Sequence, residues 1–130
     1  MPNSADRVQA ITATVRRYLD AVVAGNTDEL ADFYADDATL EDPVGKGVHI
    51  GRTAIHGFYA AALPASGMRR ECELLTLRVC GHEAAFHFRL TITAGDSTIR
   101  IEPIETMVFD QDGKVAAMKA YWSESDVTRL

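Results

Sequence analysis

Three polar residues stand among apolar neighbours, and each is of a type that holds or moves protons. In the run Ile99, Ile101, Pro103, Glu105, Met107, Phe109, every second residue is apolar except the glutamate. A strand here therefore aims Glu105 with the apolar face. A carboxyl group facing a core resists ionisation and stays protonated or finds a partner, which makes it a site candidate. A bulge at Pro103 would instead turn Glu105 outward, and on spacing alone the two readings stand level. Tyr18 falls in the stripe of Val8, Ile11, Val15, Leu19 and Val22, where a tyrosine packs its ring and bonds its hydroxyl nearby. Asp42 precedes Pro43 and by itself reads as a turn residue or cap.

Other chemistries are poorly served. The chain has no G-x-S-x-G elbow, no G-x-x-x-x-G-K-[ST] phosphate loop and no H-E-x-x-H. Gly51 follows Gly45-Lys46-Gly47 one residue too late for a dinucleotide fingerprint. His49, His56, His82 and His87 lack metal-ligand spacing. Cys72 and Cys80 lie in one strand-like stretch, roughly 26 Å apart at strand rise and beyond disulfide reach. They read as small buried hydrophobes.

The elements that position these residues follow from periodicity. The Val8–Val22 stripe is an amphipathic helix, with Gly25 as its C′ residue. Asn26 and Glu29 form a capping-box pattern before a short helix carrying Leu30, Phe33 and Tyr34. Thr39 to Asp42 reads as extended. A glycine-punctuated loop, Gly45 to Gly51, leads to a third helix with Ile55, Phe58, Tyr59, Ala62 and Leu63, stopped by Pro64. The second half then switches to period two. Expected strands run Glu71–Val79, Phe86–Thr93, Thr98–Phe109 and Lys114–Trp122, with turns at Gly81-His82, Ala94–Ser97 and Asp110–Gly113. Helices followed by a meander predict an α+β fold with an antiparallel sheet. No linker or repeat interrupts residues 1–130, so one domain is expected.

Composition agrees with a folded globular chain: 130 residues, 47% hydrophobic and 25% charged. Thirteen basic against nineteen acidic residues give a net charge of −6. A negative surface disfavours nucleic acid and anionic lipid. No apolar run approaches the roughly 18 residues of a membrane span, and Met1–Asp6 is too polar for a signal core. A soluble, cytoplasmic protein is expected.

In context the residues resemble a known family. Tyr34 to Gly45, reading YADDATLEDPVG, is similar to a characteristic segment of bacterial Δ5-3-ketosteroid isomerases. The likeness continues through Val15–Tyr18, Ile55–Tyr59, Glu83–Phe86, Pro103–Glu105, Gly113–Val115 and Met118–Trp122, covering nearly the whole chain in order. It implies the conical barrel of the nuclear-transport-factor-2-like and SnoaL-like superfamily, three helices closing over a strongly curved, mainly antiparallel sheet. It also implies roles. Asp42 matches the general base, Tyr18 the hydroxyl donor to the steroid 3-oxygen, and Glu105 the second donor, where the family normally carries a protonated Asp. Tyr34 and Tyr59 match tyrosines that back Tyr18, and Trp122 an aromatic wall beside the base. Phe58, Phe86, Phe88 and Met118 are assigned with them to the substrate lining.

The implied reaction converts a 3-oxo-Δ5 steroid, or a similar small apolar ketone, to the conjugated Δ4 isomer through a dienolate. Fixed donors in a dry pocket stabilise the enolate oxygen, and a carboxylate that takes and returns the proton needs neither metal nor cofactor. The neutral carboxylic acid in an apolar site is already worked out for ketosteroid isomerases and is carried over by resemblance. Two alternatives stand beside this reading. An epoxide hydrolase or polyketide cyclase of the same fold would need an Asp-Arg-Asp group; Arg89 and Arg100 offer the Arg, but no Asp lies in phase beside them. A non-catalytic steroid carrier would gain nothing from a base beside an apolar pocket. A homodimer is also expected, because both phases of the last strand, Ala116, Met118, Ala120, Trp122 and Val115, Ala117, Tyr121, are apolar-rich.

Overall fold

The computed structural model describes residues 4–63 and 67–130. The chain opens with helix α1 (Ser4–Ala24), whose stripe of Ile11, Val15, Tyr18, Leu19 and Val22 is buried. Its end is a Schellman turn. Gly25, at φ +66°, donates its N–H to the Val22 carbonyl, and the Asn26 N–H reaches the Ala21 carbonyl. The Asn26 side chain then accepts from the Glu29 N–H to start α2 (Thr27–Asp32). Only this half of the expected capping box forms, because the Asn26 N–H is already committed to α1.

Helix α2 stops earlier than its apolar pattern suggests. Phe33 is its C-cap and Tyr34 already begins strand β1 (Tyr34–Glu41), longer than the expected Thr39–Asp42. A short strand, β2 (His49–Ile50), pairs with β1 inside the stretch expected to be loop, and α3 (Arg52–Ala62) follows. Pro64, expected to end this helix, lies outside the described residues.

The second half forms β3 (Arg69–Cys80), β4 (Glu83–Ala94), β5 (Ser97–Ile101), β6 (Ile104–Phe109) and β7 (Val115–Tyr121). A 3₁₀ turn (Glu124–Asp126) and β8 (Val127–Arg129), neither expected, complete it. The sheet runs β2-β1-β7-β6-β4-β5-β8, with β3 on the other side of β4. All pairings are antiparallel except β1 with β7.

The expected single strand Thr98–Phe109 is broken, and the break shapes the molecule. Proline has no N–H to give to the ladder, and here the Pro103 carbonyl instead accepts from the Phe88 N–H. One edge of β4 therefore pairs twice: Glu83–His87 with β6 and Leu90–Ala94 with β5. Two sheet segments leave β4 in succession, and the curved sheet closes around the helices as a mixed, mostly antiparallel α+β cone. The core fills that cone, with Tyr34, Phe86, Leu30, Leu40, Ile55, Met107 and Met118 fully buried.

Both cysteines are free; Cys72 is half-buried and Cys80 exposed, so the expectation of two buried thiols fails for Cys80. At the end of β3 every second side chain simply faces outward.

Candidate active site

The two-residue break at Glu102-Pro103 leaves the inward phase intact. Ile99, Ile101, Pro103 and Glu105 share the concave side, and Glu105 is only 4% exposed. The outward alternative for Glu105 is thereby removed. Its Oε1 accepts from the Tyr18 hydroxyl at 3.0 Å, delivered by the core stripe of α1. The Tyr18 oxygen lies 3.3 Å from the Tyr59 hydroxyl of α3, and Tyr59 lies 2.6 Å from Tyr34 of β1. With Glu105 as terminal acceptor, every proton in the chain points one way: Tyr34 to Tyr59 to Tyr18 to Glu105.

Burial raises Glu105 well above the usual carboxylate range; the nearby Asp42 charge adds to this, and the Tyr18 hydrogen bond opposes it. Burial likewise lifts all three tyrosines well above their ordinary value, helped by the Glu105 charge. The group is a set of neutral donors. Cys72 is pushed up to about 11, mainly by burial.

Asp42 sits just past the end of β1, and the following turn is pinned on both sides. The Val44 N–H donates to the Ala120 carbonyl on β7, and the Gly45 N–H to Glu41 Oε2. Trp122, just past β7, donates from Nε1 to Asp42 Oδ1 at 2.7 Å. Burial raises the Asp42 carboxyl above its ordinary value, while this indole bond and His49 pull it back. His49 pairs with Leu40 across β1–β2 and packs its ring 5.0 Å from that of Phe58. Asp42 is thus the ionisable carboxylate of the pair and Glu105 the reluctant one.

Five of these polar residues line one cavity of about 350 Å³. Tyr18, Asp42, Tyr59, Glu105 and Trp122 supply its polar atoms, and Phe58 and Phe88 its aromatic walls. Tyr34, Phe86 and Met118, expected in the lining, lie beneath it in the core. Aliphatic walls that alternation could not tell from core, among them Val22, Leu63, Ile92 and Val127, complete it. Arg89 bonds Glu73 and Glu102, and Arg100 alternates with the inward Ile99 and Ile101, so neither arginine reaches the cavity. A larger groove of about 470 Å³ between α1, α2 and the β6–β7 turn is lined by charged residues and touches none of the three candidates. Among the described residues no cluster of His, Cys, Asp and Glu could hold a metal ion, and no helix is long and apolar enough to cross a membrane.

Comparison with known proteins places this arrangement. Residues 15–118 match the model of the SnoaL-like domain. The chain belongs to the SnoaL-like family. This SnoaL-like chain is 46% identical over 117 residues to a Steroid Delta-isomerase of Nocardioides simplex, covering 90% of this chain and 93% of that protein. The fold recurs in SalBIII, an epoxide hydrolase/cyclase-like enzyme of pyran ring formation in polyether salinomycin, with a TM-score of 0.82 and 23% identity over the whole of both chains. It recurs again in RV0760c from Mycobacterium tuberculosis, at a TM-score of 0.82 and 20% identity, covering 93% of this chain and 96% of that one.

Proposed function

We propose that the protein is a steroid Δ-isomerase that moves a 3-oxo-Δ5 double bond into conjugation. One observation carries the reading. The Asp42 carboxyl lines the same mostly apolar cavity as the Tyr18 hydroxyl and the buried Glu105 carboxyl, which lie 3.0 Å apart. A proton α to a ketone becomes removable when the resulting oxyanion is met by fixed donors. Asp42 takes the proton from C4 and returns it to C6, through the oxygen that Trp122 does not hold. When the steroid binds, the Tyr18 hydroxyl turns from Glu105 Oε1 to the 3-oxygen, and the protonated Glu105 donates beside it as the dienolate forms, while Tyr59 and Tyr34 feed the Tyr18 oxygen from behind.

The close relationship to a Steroid Delta-isomerase supports this reading, and the outward arginines speak against water activation by an Asp-Arg-Asp group. Mixing the protein with a 3-oxo-Δ5 steroid should produce the conjugated-enone absorbance; no absorbance change at micromolar enzyme would end the proposal. The same reading carries a homodimer. Ile104, Val108 and Tyr121 are 48%, 37% and 46% exposed on one face of β6 and β7, Ile104 opposite Tyr121 and Val108 four residues farther along β6.

A further inference from the structure

The cavity has a polar end and a hydrocarbon end, and the two are far apart. Glu105 pairs with Phe86, whereas Ile99 pairs with Ile92, six residues farther along β4. At strand rise that is about 20 Å of inward-facing surface. Four fused rings with their carbonyl against Tyr18 and Glu105 cover only part of it. Beyond them the wall is Val22, Leu63, Ile92, Ile99 and, opposite Ile101, Val127. None of these side chains has a donor or acceptor. Arg70 is the charged residue paired with Ile92, but it does not line the cavity. It is buried and its Nε donates to the Val22 carbonyl at 3.1 Å, at the end of α1.

We propose that this far end holds an alkyl chain: the substrate is a steroid-type ketone with an apolar tail, not a polar group, opposite its carbonyl. The inference rests on the isomerase reading for the placement of the carbonyl. A ketone or hydroxyl at the far end would leave water with no polar side chain to bond among the described lining residues, whereas each methylene of a tail gains by leaving water.

Trp122 is the only tryptophan of the chain and lines the cavity, so its fluorescence reads binding without turnover. Three 3-oxo-Δ4 steroids are compared, identical except at C17: a ketone, an alkyl chain of about six carbons, and the same chain ending in a carboxylate. The alkyl form should bind at least about tenfold tighter than the ketone, and the carboxylate should forfeit that gain. Ile99→Asn should bring the alkyl-to-ketone ratio close to one; Val127→Asn, on the short edge strand, repeats the test if Ile99→Asn does not fold. Equal or weaker binding of the alkyl form overturns the proposal, as does tightest binding of the carboxylate or an unchanged ratio in the folded variants. Turnover of the matching 3-oxo-Δ5 forms is assayed separately. Its absence with the alkyl preference intact would remove the isomerase reading and keep the tail.

Discussion

Burial raises both carboxyl groups of the cavity, Glu105 well above its ordinary value, whereas the Trp122 indole and His49 hold Asp42 back. Asp42→Asn should fold and bind a steroid as before while kcat falls by several orders of magnitude; near-normal turnover would clear Asp42 of the role of base. Glu105→Gln keeps a donor and should retain substantial activity, whereas Glu105→Leu should lose roughly 10²–10³ in kcat, the usual effect of one oxyanion donor. Glu105 also couples to stability. Its folded value lies above its unfolded one, so the native state holds a proton that the unfolded chain releases. That contribution is complete below the ordinary carboxylate range and fades as pH rises through the raised folded value. Urea unfolding should therefore show wild type losing stability relative to Glu105→Gln between mildly acidic and alkaline pH; parallel curves would mean an ionised Glu105. Trp122→Phe removes the indole N–H that favours the Asp42 carboxylate. The acid limb of kcat/KM should then move to higher pH.

The end of α1 fixes Tyr18, and Gly25 is where that end is most easily disturbed. Its φ of +66° strains any L side chain, and an added Cβ would run into the Arg70 guanidinium. Gly25→Ala should cost about 1–3 kcal/mol in chemical denaturation, with kcat reduced as Tyr18 shifts. The helices and hairpins are legible because they obey local rules, a 3.6 period and Gly at turns, whereas alternation leaves Glu105 level between inward and outward because a bulge at Pro103 would reverse it. What was not legible depends on distant partners. Phe33 and Tyr34 fit a helix face, yet Tyr34 is drawn into β1 by pairing with Val115 about eighty positions on. Strands β2 and β8 are too short to carry a pattern. Asp42 looked like a turn residue because its partner, Trp122, comes from the other end of the chain; only the family resemblance singled it out. Alternation places Phe86 and Met118 in the lining because an inward residue looks the same whether it meets a ligand or another side chain. The aliphatic far wall was overlooked for the same reason.

Across the whole molecule, the proposed homodimer is tested at the exposed face of β6 and β7. If the chain pairs through Ile104, Val108 and Tyr121, Ile104→Lys should give a monomer by light scattering without losing helical signal. Wild type that scatters as a monomer at micromolar concentration removes the homodimer. The parallel contact of β1 with β7 has a different consequence, one of timing. Asp42 follows β1, early in the chain, while the indole that holds it follows β7, near the end. Contacts so distant in sequence close slowly, after the local hairpins and helices have formed. During refolding, the Trp122 fluorescence change should thus lag behind the helical signal, the Asp42 carboxylate being among the last groups to find its place.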